Sequence, residues 1–257
     1  TVMLASTFAK ADEGMWLPFL LNRNYEDMKK NGLQLTQEQL YSINKASLKD
    51  AIVSLGGFCT GELISKELSK KNNKTLRYFR FPYNDLGKDS IQHQQVKQYL
   101  KDINYQIAPF TIESSDWMYN YIYEYYLDYN NYAKANEIGQ EYLNKTLEYF
   151  DFYDKLSIKD YGRSIDQIYL CHDNKINSDF LVKLVDELKK KDYKFVHLDK
   201  ALTDKVYSSK DNYLKKWGIS WFYRWKNDHY DRIKIMKQEP TMEKTIELYN
   251  KIVEERK

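Results

Sequence analysis

The chain has 257 residues, enough for one large domain or two small ones. Its 40 Lys and Arg are balanced by 37 Asp and Glu, a formal charge of +3, so the charge gives no case for nucleic acid as a partner. Two cysteines, Cys59 and Cys171, make no zinc-type pair, and their spacing leaves a disulfide between them open.

The first eleven residues, TVMLASTFAKA, are apolar and end in the small-x-small pattern of a signal-peptidase site, with cleavage expected before Asp12. We therefore expect a periplasmic or secreted protein. No later stretch is long enough to span a membrane. From Asp12 to about Lys30 the apolar spacing predicts an amphipathic helix, with Trp16, Phe19, Leu20, Tyr25 and Met28 on its apolar face. Thr36 followed by Gln39 has capping-box spacing and predicts the start of a second helix. Ala51 to Leu55 reads as a buried strand, Gly56-Gly57 breaks it, and Phe58 to Ile64 reads as its hairpin partner.

Beyond Lys74 the rhythm changes. Strands are expected over Leu76 to Phe81, Tyr105 to Ile112, Gln167 to Cys171 and Tyr193 to Leu198. Helices are expected over Ser90 to Ile103, with Val96, Tyr99 and Leu100 on one face. Further helices are expected over Asp116 to Leu156, with a break near Asn130-Asn131, over Asn177 to Lys190, and near Ala201. The alternation predicts an α/β fold with parallel strands and crossover helices, four units making about half of a (β/α) barrel. The tail, Thr241 to Lys257, reads as a solvent-facing helix. Tyr213 to Lys237, rich in Trp and Tyr, fits no pattern. Aromatics reach 16%, with 24 Tyr; such rings pack half-buried with a polar tip, and they also line sugar-binding clefts.

In sheets of this kind functional groups gather at the carboxyl ends of strands. Arg80, Asp116 and His172 each follow an expected strand, on one rim. A carboxylate beside an imidazole orients the ring and stabilises its protonated form, which suits His172 to general-acid work. Taken singly, an Arg–Asp pair is as readily a salt bridge, and a His after a strand as readily structural.

Those rim residues lie in YFRFPYNDLG, SSDWM and IYLCHDNKIN. In that order and spacing they resemble the last three motifs of the polysaccharide deacetylase family, over about Ile64 to Tyr223. The resemblance implies an incomplete (β/α) barrel of that type, preceded by helices and a β-hairpin. It also implies removal of acetyl groups from a chitin-like or cell-wall polysaccharide or oligosaccharide. By family role, Arg80 would hold the catalytic-base Asp and the Tyr83 backbone N–H would help form an oxyanion hole. Asp116 would tune His172, Trp117 would wall the acetyl pocket, and His172 would protonate the leaving amine; Tyr83 and Trp117 are thus the expected substrate-binding residues. The family's T-F-D-D and H-x-x-x-H motifs are missing. No two of His93, His172, His197 and His229 stand four apart, so the divalent, zinc-type metal of the intact family has no visible ligands here. Asp12-Glu13-Gly14 echoes D-D-G but sits at the expected cleavage site. The expected enzyme is therefore catalytically incomplete, or a carbohydrate-binding remnant.

The N-terminal third has a different resemblance. ADEGMWLPFLLNR and LTQEQLYSINKASLKDAIVSLGGFCTGELIS are similar to the opening of bacterial periplasmic dipeptidyl-peptidases with a chymotrypsin-like fold, over roughly Asp12 to Ser65. In that family the GFCTGE strand leads into a T-N-H-H-C-G turn bearing the catalytic His. Here the text becomes SKELSKKNN, and the Ser-His-Asp set has no counterpart. The alternative expectation is therefore a truncated serine dipeptidyl-peptidase. CTGELISKELSKKNNK reads as a seam, the mark of a fusion, a deletion or a misassembled reading frame. The expected layout is a signal remnant over 1–11, a dipeptidyl-peptidase-like segment over 12–65 and a partial deacetylase-like domain over 66–257. A half-barrel leaves open strand edges, which the N-terminal hairpin or a second chain would cover.

Overall fold

The computed structural model describes residues 77–256, together with 25–30, 34, 36, 52–55 and 59–62. The chain divides into two compact units, Thr1–Arg77 and Tyr78–Lys257. In the first unit, α1 spans Tyr25–Lys30, the end of the first expected helix. Strands β1 (Ile52–Leu55) and β2 (Cys59–Glu62) pair antiparallel, with Ile52 opposite Glu62 and Leu55 opposite Cys59, as a hairpin broken by two glycines requires. The cleavage site, the rest of the first helix, the helix after Thr36 and the seam lie outside the described residues.

The second unit begins with β3 (Tyr78–Phe79), shorter than the expected Leu76 to Phe81 and followed by a turn that Pro82 opens, and α2 (Ser90–Asp102), which Asp89 caps by accepting from the Gln92 N–H. The α2 face that turns inward is His93, Val96 and Leu100; Tyr99 is exposed, one position off the expected stripe. The expected strand over Tyr105 to Ile112 is two short ones, β4 (Gln106–Ile107) and β5 (Ile112–Glu113). Pro109 lies between them, and a residue without an N–H cannot continue a ladder. β4 pairs parallel with β3, and β5 pairs parallel with β6 (Tyr169–Leu170).

Between β5 and β6 run α3 (Asp116–Asp128) and α4 (Tyr132–Tyr161). The break expected at Asn130-Asn131 has a local cause. Asn130 is left-handed at φ 56°, and Asn131 caps α4 by accepting from the Lys134 N–H at 3.1 Å. Gly162, at φ 70°, ends α4 with its N–H on the Ile158 carbonyl. α5 (Lys175–Lys190) follows β6 and packs with α3 and α4. The short α6 (Leu198–Ala201), α7 (Trp221–Arg224) and α8 (His229–Met236) precede α9 (Glu243–Glu255).

Two expectations are corrected here. Tyr193 to Leu198 forms no strand: the segment is irregular up to α6, and Phe195 and Val196 stand exposed. An alternating pattern becomes a strand only against a partner's backbone, and among the described residues β6 pairs only with β5. The tail helix is not simply solvent-facing. Ile252 and Thr245 on α9 are buried, and Tyr249 packs edge-on against Trp117 and Tyr121. Among the described residues the strands form three separate two-stranded sheets. These separate pairs neither draw nor exclude the expected partial barrel. No helix among the described residues is long and apolar enough to cross a membrane.

Candidate functional site

Asp116 is the first residue of α3, and its neighbour Ser115 takes a left-handed conformation at φ 53°. That turn sends the Asp116 carboxylate into the protein, where it is fully buried. His172 follows β6, and its Nδ1 lies 2.7 Å from Asp116 Oδ1. Asp116 Oδ2 accepts from the His172 backbone N–H at 2.7 Å, from Asn177 Nδ2 at 2.6 Å and from Asn174 Nδ2 at 3.1 Å. A carboxylate only accepts, so the ring proton between the two groups belongs to Nδ1. His172 is half exposed at 52%, and the ring's second nitrogen, Nε2, is its other proton site.

The electrostatics follow from this geometry. Burial pushes the Asp116 carboxyl up, but the hydrogen bonds from the His172 side chain and backbone outweigh it and hold it below its ordinary value. The same hydrogen bond raises His172 above the ordinary histidine value, against the opposing effect of burial. Glu113, at the end of β5, is a neighbour that sequence reasoning missed. Burial pushes it up, while the Ser115 N–H, donating to it at 2.8 Å, pulls it down. The pair can therefore hold a proton on His172 above the usual pH for histidine and release or take it at Nε2.

The other expected site residues take different positions. Among the described residues Arg80 holds no carboxylate. Its Nε donates to the Ala108 carbonyl at 3.2 Å and its Nη2 to the Pro109 carbonyl at 3.1 Å, which fastens the end of β3 to the β4–β5 connection. It also lines a cleft of about 660 Å³ with Phe150, Gln167, Tyr169, Tyr193 and Phe195, and neither Asp116 nor His172 lines that cleft. Tyr83 is exposed, left-handed at φ 55°, and packs edge-on against Trp217. Its carbonyl accepts from the Gly218 N–H at 2.8 Å. Trp117 is half exposed and leans on Tyr249 of α9.

The described residues do not fit the zinc-type metal that the deacetylase resemblance implies. No group of three or more His, Cys, Asp or Glu among them is arranged to hold an ion. Both Asp116 oxygens already accept hydrogen bonds, four in all, which a metal would have to displace.

Asn177 and Asn174 were also missed. DNKIN signals only the start of α5, where Asn174 caps the helix by accepting from the Asn177 N–H at 3.0 Å; that Asn177 then reaches Asp116 is a tertiary contact.

Comparison with known proteins bears on the N-terminal region. The peptidase S46 family profile matches residues 11–67. The dipeptidyl-peptidase 7 of Capnocytophaga gingivalis is 52% identical over 66 residues, 25% of this chain and 9% of that protein. The Asp/Glu-specific dipeptidyl-peptidase of Porphyromonas gingivalis is 52% identical over 60 residues, 23% of this chain and 8% of that protein. That of Porphyromonas endodontalis is 39% identical over 105 residues, 40% of this chain and 14% of that protein. No solved structure matches the chain. The chain spans less than a tenth of the length of the first two relatives and about a seventh of the third. These findings overturn the carbohydrate deacetylase expectation. The matching family and the relatives are peptidases, and nothing supports a polysaccharide deacetylase domain. The N-terminal region is similar to peptidase S46, a hydrolase relationship.

Proposed function

We propose that the chain derives its function from exported serine-type dipeptidyl-peptidases, and that residues 11–67 serve as the opening segment of such an enzyme. The match of that segment at about half identity carries the reading. The small-x-small pattern ahead of Asp12 supports export. The substrates of such an enzyme are peptides with a free N-terminus, from which dipeptides are released. The segment supplies scaffold rather than chemistry, because its text departs from the family's before the turn that bears the catalytic His. The test is a graft. Residues 11–67 replace the corresponding segment of the Capnocytophaga gingivalis dipeptidyl-peptidase 7, and dipeptide release is followed with a fluorogenic dipeptidyl substrate. The graft is expected to keep kcat/KM within about tenfold, which is about 1.4 kcal/mol of transition-state stabilisation. A folded but inactive graft overturns the reading. The chain alone is expected to release no dipeptide.

A second reading is favoured by the 2.7 Å contact between His172 Nδ1 and Asp116 Oδ1. In it the second unit holds an acid/base site in which His172 exchanges a proton at Nε2. It is tested without a substrate. Acylation of His172 by diethyl pyrocarbonate, read by mass spectrometry against pH, is expected to show a reactive neutral ring with a midpoint above about 6.5. A His172 that does not react at any pH overturns it.

A further inference from the structure

The Asp116 carboxylate is held by a longer chain of donors than its own ion pair. Asn177 is 5% exposed. Its Nδ2 donates to Asp116 Oδ2 at 2.6 Å and to the His172 carbonyl at 2.9 Å. Its Oδ1 accepts from the Tyr142 hydroxyl of α4 at 2.5 Å. Tyr142, fully buried, also meets the Tyr169 hydroxyl at 2.9 Å, and Tyr169 meets Ser114 Oγ at 2.8 Å.

Each hydroxyl here has one proton to give. A single ordering satisfies the run: Ser114 donates to Tyr169, Tyr169 to Tyr142, Tyr142 to Asn177 Oδ1, and Asn177 Nδ2 to Asp116. Turning the amide over would set its oxygen against two acceptors, the Asp116 carboxylate and the His172 carbonyl. Asp116 and the His172 carbonyl thus set which way the Asn177 amide faces, the Tyr142 hydroxyl satisfies its outward oxygen, and the amide braces the carboxylate. One side chain joins the start of α3, the loop after β6 and the middle of α4. In a low-dielectric interior such ordered chains strengthen one another.

We propose that Asn177 and Tyr142 are positioning residues for His172: their donor chain, ending on Asp116, keeps the His172 proton on Nδ1 and leaves Nε2 as the nitrogen that exchanges protons. The inference rests on the acid/base reading of His172 and is independent of the peptidase reading. The charged groups around the ring are Asp116 on α3, Glu113 at the end of β5 and Arg80 after β3. None of these three is altered by changes at positions 142 and 177.

The experiment is ¹⁵N-detected NMR of the histidine rings in the full chain, titrated with pH. His172 of the wild type is expected to carry its proton on Nδ1 in the neutral ring. Tyr142→Phe keeps the ring that fills the core and removes only the hydroxyl. Asn177→Leu removes the amide. In both, the Nε2–H tautomer of His172, the form a free imidazole prefers, is expected to gain population, and the midpoint to fall toward about 6.5. A packing role alone would leave the tautomer unmoved in Tyr142→Phe. Wild-type nitrogen shifts and midpoint in a folded Tyr142→Phe protein overturn the proposal, whatever Asn177→Leu does. A wild-type ring protonated on Nε2 overturns the acid/base reading itself.

Discussion

At Asp116, burial and hydrogen bonding pull in opposite directions, and the donors win. The pH dependence has a definite sign. A carboxyl held below its ordinary value adds stability above about pH 3.9, which is lost as pH falls through the lower folded value. A histidine raised by its partner adds stability below about pH 6.5, which is lost as pH rises through the higher folded value. The pair therefore contributes most between about pH 4 and 6.5. Urea unfolding of wild type and Asp116→Asn across pH 4 to 9 is expected to show a stability difference that is largest in that window and shrinks above it. A difference independent of pH would mean that the pair carries no proton linkage. Much of this was legible in the sequence, since strand-end reasoning names Asp116 and His172 from SSDWM and LCHD. Asn177 and Tyr142 were not, because the former lies sixty-odd positions from Asp116 and the latter on another helix. No local pattern records that their side chains meet.

Element boundaries were legible where a local cause sets them. Pro109 and Asn130-Asn131 each act through their own backbone. Two regions were not legible for the opposite reason. The segment holding Phe195 and Val196 has a strand-like pattern yet finds no partner backbone among the described residues. Tyr213 to Lys237 is organised by a buried ion pair, Arg224 to Asp211 at 2.7 Å, and by Arg232 donating to the Tyr223 carbonyl at 2.9 Å. Neither contact has a period. Helix packing gives a sharper test at Gly139 of α4. In an open helix Gly→Ala gains up to about 1 kcal/mol. Here a Cβ would fall 2.0 Å from the tip of the Phe180 ring on α5. Phe180 is itself buried and edge-on to Tyr123, so it has little room to yield. Gly139→Ala is expected to destabilise by about 1–3 kcal/mol, the usual cost of overpacking, measured as a fall in the urea midpoint. A stabilised variant would show that α4 and α5 separate freely at this crossing.

The molecule as a whole carries two texts, and the described packing belongs to the second. Among the described residues, every buried member of the three apolar clusters lies between Phe110 and Ile252. One cluster joins β5, α4, α5 and α7 through Ile112, Tyr153, Leu184 and Phe222; a second joins α3, α4, α5 and α9 through Ile122, Ile138, Phe180 and Ile252. The buried Arg224–Asp211 pair and the bidentate Arg163–Asp204 contact also lie in this part of the chain. The peptidase S46 family profile, by contrast, matches residues 11–67. The compact unit Tyr78–Lys257 therefore holds the interactions needed to unfold as one cooperative body. A protein made of those residues alone is expected to melt in a single transition within about 4 °C of the corresponding transition in the full chain. In a domain of this size a loss of 1 kcal/mol moves the midpoint by roughly that much. A broad, non-cooperative melt with dye-binding apolar surface would show that residues before Tyr78 complete the core.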